Sequence, residues 1–346
     1  MVSLKTGRWA CLVVAMGLAV AMAPLPLACA AKDAAAQRDS KTKSKLSDLP
    51  SQTRPAKPPI RVSVGVHVLR LVNLDIPNNK FTLDFWIWFR WTDDSVKPYE
   101  SFELINGSID SRRVERVDKV DGVNYACLRV QATCTSAWNV ARFPLCSQAL
   151  RVELEDDDLE SSELIYVPDS DNCAVDDDFH VPGWVREGFS ADSLTHVYST
   201  TYGDPRHPVG TKTPFSRAVF SLQLRRADVF HSFKVFSGLY LAALVAFTVF
   251  FVKPDHRLAL TVGAIFAVVA SHTVISSYLP DAGVLTLADK LHLAAAGVVL
   301  VSLFETAYSL HLFHRNREAD SKRLDRMTFW ITAPVYLIAN VWLIMR

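Results

Sequence analysis

Leu258–Pro280 reads LALTVGAIFAVVASHTVISSYLP. A bilayer-crossing helix needs about 20 mainly apolar residues, and this stretch supplies them with no Asp, Glu, Lys or Arg. It nevertheless carries Thr261, Ser271, His272, Thr273, Ser276 and Ser277, more polar chemistry than a lipid anchor needs. On a helix, Ala259, Gly263, Phe266, Ala270, Thr273 and Ser277 share one stripe, at alternating spacings of four and three. Asp255 and His256 continue it at the N-terminal end, and Leu258, Ile265, Val268, Ile275 and Leu279 fall on the flanks and rear. Taken alone, a stripe of small residues suits close packing against a neighbouring helix.

Three further segments of this kind surround it. Val235–Val252 lies between Lys234 and Lys253, Leu291–Phe313 carries the single acid Glu305, and Thr328–Met345 comes last. The expected transmembrane region is 231–346, with spans near 235–252, 258–279, 291–313 and 328–345. A carboxylate inside a span needs a partner or a function, so Glu305 is expected to bond to a neighbouring helix. Ser271 and His272 point off the stripe and are expected to do the same.

The N-terminus, MVSLKTGRWACLVVAMGLAVAMAPLPLACAAK, has a basic start, an apolar run and small residues at Ala28–Ala30, the pattern of an export signal over 1–30. Residues 31–59 are rich in Lys, Ser, Ala and Pro and poor in large apolar side chains, which predicts a disordered linker. Export places residue 60 onward outside the inner membrane. The segment HRNREADSKRLDR, with Arg315, Arg317, Lys322, Arg323 and Arg326, then falls on the cytoplasmic side, as the positive-inside rule requires. This reading makes the chain a multi-pass bacterial inner-membrane protein with its N-terminal domain in the periplasm.

The formal net charge of +1 argues against nucleic acid as a partner. Charge is local instead: residues 151–180 hold twelve acidic side chains and one basic one, Arg151. Beyond the signal stand Cys127, Cys134, Cys146 and Cys173. An exported domain tolerates disulfides, and four cysteines allow three pairings among which the sequence does not choose. No CxxC, HExxH, phosphate loop or nucleophile elbow occurs, so neither a metal, a cofactor nor enzymatic activity is expected.

Between residues 60 and 230 the pattern is β. IRVSVGVHVLRLVNL and KFTLDFWIWFRWTD alternate with a period near two, and VNYACLRVQATC, QALRVELE, ELIYV, GWVREGF and SRAVFSLQLRR add further strands. Many short strands without a convincing helix predict an all-β, immunoglobulin-like sandwich of one domain.

At this point a family resemblance emerges. RFPLCSQALRVELE resembles the FPFDxQ signature of the Cys-loop receptors, FWIWFRWTD resembles their second strand, and PGWVREGF, the Arg225–Arg226 pair and ISSYLP…LTLADK fit as well. The resemblance covers residue 60 to the C-terminus and is closest to the bacterial pentameric ligand-gated ion channels, amine-gated and proton-gated. Cys146 stands at the usual Asp, Gly238 near the usual proline of the first span, and Ser136 and Leu150 at the two hallmark cysteines, so that disulfide is absent from its usual place.

The resemblance implies a homopentamer of identical subunits around a central pore, with permeant ions and a small-molecule ligand as partners. It turns the stripe Asp255, Ala259, Gly263, Phe266, Ala270, Thr273 and Ser277 into a pore wall. Phe266 would be a hydrophobic gate, and Asp255 an acidic ring that favours cations. It implies a ligand site beneath the loop TTYGDPRHPVGTKTPFSR, with Tyr202 and Phe215 as aromatic walls, Glu103 as the acid and Trp86 on the complementary face. A cationic amine suits such a cage; an acidic or neutral agonist would instead engage Arg206 and His207. Phe143, Pro144, Arg225 and Pro280 would couple binding to the pore. The alternative function is a non-conducting membrane receptor built on the same sandwich.

Overall fold

The computed structural model describes residues 58–203, 208, 210–226, 229–281 and 283–346, without the side chains of residues 229–232. The expected signal and all but the last two residues of the linker lie outside the described residues, as do Arg206 and His207. Two compact units share the chain: Ser51–Asn139 with Leu145–Asp228, and the helices from Val229 to Arg346 with the short segment Val140–Pro144.

Among the described residues the first unit holds ten strands: β1 (Ile60–Asp75), β2 (Lys80–Trp91), β3 (Phe102–Leu104), β4 (Gly107–Val120), β5 (Val123–Thr135), β6 (Ser147–Asp156), β7 (Leu164–Pro168), β8 (Ala174–Val175), β9 (Trp184–Tyr198) and β10 (Thr213–Arg226). One sheet runs β4-β5-β2-β1-β7, with β8 also on β1, and the other runs β3-β6-β10-β9. Alternation decides which face is buried. Val62, Val64, Val66 and Val68 of β1 face inward with Phe81, Leu83, Phe85, Ile87 and Phe89 of β2 and with Ala126, Leu128, Val130 and Ala132 of β5. Leu150, Val152 and Leu154 of β6 and Ala218, Phe220, Leu222 and Leu224 of β10 form the opposing layer. The sheets are also tied by hydrogen bonds: the Ser216 hydroxyl accepts from the Tyr166 amide at 2.9 Å, and the Ser193 hydroxyl donates to the Tyr166 carbonyl at 2.8 Å. Gly65 pairs across from Trp88, and a Cβ there would lie 2.3 Å from the indole, so only glycine lets that ring cross β1.

Three elements depart from the sequence reading. β4 reads GSIDSRRVERVDKV and is exposed almost throughout, so no apolar alternation marks this edge strand. β9 continues through Ser190–Ser193, whose small side chains, three of them polar, hide the period. Lys97 is followed by one helical turn, Pro98–Ser101, in a region read as all β.

The four described cysteines, Cys127, Cys134, Cys146 and Cys173, are free thiols. Cys134 is buried and its thiol is pushed up to about 12, chiefly by desolvation. Where the two hallmark cysteines would stand, Leu150 is core and the Ser136 hydroxyl donates to the Ala149 carbonyl at 3.1 Å. Gln148 exchanges two 3.0 Å hydrogen bonds with the Asn139 backbone. Polar side chains thus close the base of this loop without a covalent bridge.

Among the described residues the second unit holds four long helices: α1 (Val229–Thr248), which runs into a tighter turn at Val249–Phe251, α2 (Pro254–Ser276), α3 (Leu287–His314) and α4 (Glu318–Met345). Each contains a segment long and apolar enough to cross a membrane. Pro254 opens α2 at a position where its missing N–H costs nothing. The helix ends at Ser276, so Leu279 lies beyond it. The basic segment read as a loop is mostly the first turns of α4. Ion pairs Glu318–Lys322 at 2.7 Å and Arg317–Asp320 at 2.7 Å extend the helix past its apolar part.

Candidate ligand site and pore face

The exposed face of the four-stranded sheet carries the candidate ligand site. Glu103 of β3 pairs across from Glu155 of β6, and Phe215 of β10 pairs across from His196 of β9. Cross-strand partners project on the same side, so these residues share one face with Arg217 and Tyr198. Tyr198 is the centre of the group. Its ring makes edge contacts with Tyr202 and Phe215, both at 5.7 Å between centroids, and with His196 at 4.5 Å. Tyr202, at the start of the β9–β10 loop, is 71% exposed and has φ of 54°, so its ring stands open to solvent on one side.

Beneath the rings lies a charge network. Arg217 donates to Glu155 at 2.6 Å, to Glu153 at 2.8 Å and to the Tyr198 hydroxyl at 3.0 Å; that hydroxyl donates to Glu155 at 2.9 Å. Glu155 is 2% exposed. Burial, with the Glu155 carboxylate beside it, pushes the Tyr198 hydroxyl up to about 12. Desolvation and the carboxylates of Asp157, Glu155 and Asp156 raise Glu103 above the usual glutamate range. Asp157 is raised in the same way, by desolvation and then by Asp156 and Asp158. Asp156 is committed to its own turn, accepting from the Ser101 hydroxyl at 2.6 Å and from the amides of Asp158 and Leu159. Among the described residues, no cluster of three or more His, Cys, Asp or Glu side chains is arranged to hold a metal ion.

Tyr202 and Phe215 therefore meet through Tyr198, which the sequence reading missed together with His196. Both stand at the end of β9, beyond the part of that strand legible in the sequence. Glu103 sits two strands from β10, about 10 Å away at the usual strand spacing. Trp86 belongs to the other sheet, paired with His67 and Arg129, and the Arg129 guanidinium covers its ring at 5.9 Å.

In the helical unit, Asp255, Ala259, Gly263, Phe266, Ala270, Thr273 and Ser277 are all exposed, Phe266 at 70%. Ser277 stands at the C-cap of α2. Asp255 lies 3.4 Å from His314 at the end of α3. Gly263 and Ala270 also line a groove of about 500 Å³ between α1 and α2, with Gly238, Ala242, Ala267 and Ser271. The buried side of α2 is Pro254, Arg257, Thr261, Ala264, Val268 and Ile275. Glu305 has a cationic neighbour, Arg257, at 3.5 Å. Ser271 bonds His292 at 3.2 Å, and His272 bonds Asp289 at 3.1 Å, so both reach α3. Of the four residues expected to couple the two units, Phe143, Pro144 and Pro280 are buried in the helical unit's share of the chain. Arg225 is exposed in the sheet unit, bonded to Glu187 at 2.7 Å, while Arg226 packs on Trp184 at 4.3 Å.

A two-sheet sandwich followed by four apolar helices defines a class: the chain resembles the bacterial pentameric ligand-gated channels in sequence and in architecture. No family model matches the chain. Over 307 residues, covering 83% of each chain, it is 19% identical to a proton-gated ion channel of Gloeobacter violaceus.

Proposed function

We propose that the chain is one subunit of a homopentameric ligand-gated ion channel of the bacterial inner membrane. Residues 1–30 would be a cleaved signal, 60–230 a periplasmic ligand-binding domain and 231–346 the pore-forming domain. The observation that carries the reading is the sidedness of α2: all seven stripe residues are exposed in the single chain, whereas its one arginine, Arg257, is 2% exposed. Five copies around an axis convert the stripe into the wall of a water-filled path, with Phe266 as a gate that closes by dewetting. Asp255 favours cations at the inner mouth. The basic residues Arg315, Arg317, Lys322, Arg323 and Arg326 support a cytoplasmic α3–α4 turn.

The ligand is a small cationic amine. Tyr202, Phe215 and Tyr198 offer aromatic faces, each worth about 0.5–2 kcal/mol toward a cation, and Glu103 supplies negative charge; Trp86 comes from the neighbouring copy. The deciding experiment is current across a planar bilayer holding the purified full-length chain, with amines applied on the sandwich side. Amine-evoked current carried by cations supports the reading. A reconstituted protein that binds amines and passes no current is the non-conducting receptor instead.

A second reading has its own observation. Glu103 and Asp157 bind protons more readily than free carboxyls, and the relative matched over 307 residues is a proton-gated ion channel. Current evoked by acidification alone, in the absence of any amine, separates this from amine gating.

A further inference from the structure

Arg257 occupies the first turn of α2 and uses every part of its guanidinium. The Nε donates to the Val252 carbonyl at 2.6 Å, in the turn between α1 and α2. One terminal nitrogen donates to Asp325 Oδ1 at 2.8 Å, to the Ser309 hydroxyl at 3.2 Å and to Glu305 Oε1 at 3.5 Å; the other donates to Asp325 Oδ2 at 2.6 Å. Ser309 in turn donates to Asp325 at 2.9 Å and bonds the Ser321 hydroxyl at 2.7 Å. One side chain thereby ties α2 to the preceding turn, to α3 and to α4.

The rest of this half of the buried face is poorly suited to set rotation. After Arg257 come Thr261 and Ala264, both small, and Thr261 bonds only back to the Arg257 carbonyl at 3.0 Å. The next large buried side chain is Val268. Small residues permit a helix to turn about its axis, whereas a two-pronged guanidinium–carboxylate bond fixes both distance and orientation. Asp255 and Ala259 stand two residues either side of Arg257, about 200° around the helix from it. Whatever holds Arg257 inward therefore holds those two outward.

We infer that Arg257, through its bidentate bond to Asp325, is the positioning residue that sets the rotation of the first turns of α2 and so decides which side chains face away from the subunit's own bundle. Its consequence for ion flow rests on the channel reading; its consequence for exposure does not. Glu305, which has one long bond to Arg257 and shares a hydrogen bond with Asp325, is a secondary partner.

The test uses the full-length chain in lipid vesicles. Ala259→Cys and Thr261→Cys are labelled separately with a water-soluble thiol reagent, and the modified helix peptide is read by mass. With Arg257 intact, position 259 should react at least tenfold faster than position 261, which is fully buried. Arg257→Lys keeps the charge but loses the fork, and Asp325→Asn keeps the shape but loses the charge; each should cut that ratio at least threefold. Exchange of the pair, Arg257→Asp with Asp325→Arg, should restore it in part, and Glu305→Gln should leave it unchanged. A lysine or asparagine variant that keeps the full ratio overturns the inference. So does a lysine variant that fails to fold while the asparagine variant labels normally. Reversal potential in a salt gradient supplies the functional arm: Arg257→Lys should shift it. Absence of any current in the unmodified chain would count against the channel reading, and the labelling ratio would still decide the clamp.

Discussion

The Tyr198 hydroxyl is held at 2.9 Å from Glu155 Oε2, and this bond joins the aromatic group of the β9–β10 region to a buried charge network. Arg217 completes the triangle by bonding both. The ring that Tyr202 and Phe215 share is therefore fixed from below, not free to swing with the loop. Tyr198→Phe keeps the ring contacts and removes two hydrogen bonds, the one donated to the buried Glu155 carboxylate and the one accepted from Arg217, a loss of about 1–3 kcal/mol. We expect a lower melting temperature and an amine dose response shifted by less than tenfold. Tyr198→Ala removes the common wall and should shift it further, which a parallel dose response will show.

Glu103→Gln removes the acid from the proposed amine site. Loss of a charge-assisted hydrogen bond costs about 1.5–3 kcal/mol, so the half-activating amine concentration should rise roughly ten- to a hundredfold. Phe215→Ala should move it the same way by deleting a cation–π face. Single-channel conductance should be unaltered in both, and a changed conductance would place these residues in the wrong part of the protein.

The gate assignment predicts that Phe266→Ala leaks. A ring of five exposed phenyl groups excludes water by its apolar surface, and alanine both widens and wets the constriction. Resting current without ligand, or opening at lower ligand concentration, is the expected outcome; an unaltered resting conductance and dose response would remove Phe266 from the gate.

Selectivity should follow Asp255. Asp255→Asn is expected to lower conductance and to weaken the preference for cations, measured as reversal potential in a salt gradient. Because His314 lies 3.4 Å from the same carboxylate, His314→Ala should leave selectivity cationic.

The acidic edge of the sheet predicts a pH dependence of stability. Glu103 and Asp157 have raised folded-state values, so the stability they contribute is present at low pH and lost as pH rises through those values. Asp84 is lowered, with the Arg129 hydrogen bond as the largest cause, so its contribution is present above the ordinary aspartate range and lost as pH falls. Thermal melts should therefore show a mild gain on acidification from neutral to just above the ordinary carboxylate range, then a loss below it. In Glu103→Gln the gain should shrink and the neutral-pH melting temperature rise by about 1–3 °C.

Much of this protein was legible from residue type and spacing. The alternation in β5 is close to the burial pattern itself, and in β1, β2, β6 and β10 the apolar residues at every second position are in the core, because a strand between a core and solvent must place apolar side chains every second residue. The four apolar segments are helices for the comparable reason that a chain in lipid must satisfy its backbone internally. The one carboxylate in the third segment announced a partner, since an unpaired charge there is too costly to keep.

What sequence alone left undecided depended on neighbours. β4 has no apolar period because an exposed edge strand needs none, and its place was set by pairing with β5. Tyr198 and His196 lie beyond the part of β9 that the sequence marks, and pairing along β10 brings them beside Phe215. Only the fold supplied Asp325 as the partner of Arg257, 68 residues away. Periodicity reports which side of an element is apolar, a property each segment carries by itself. Which side chains meet is a property of the chain's return path, and no local pattern encodes it.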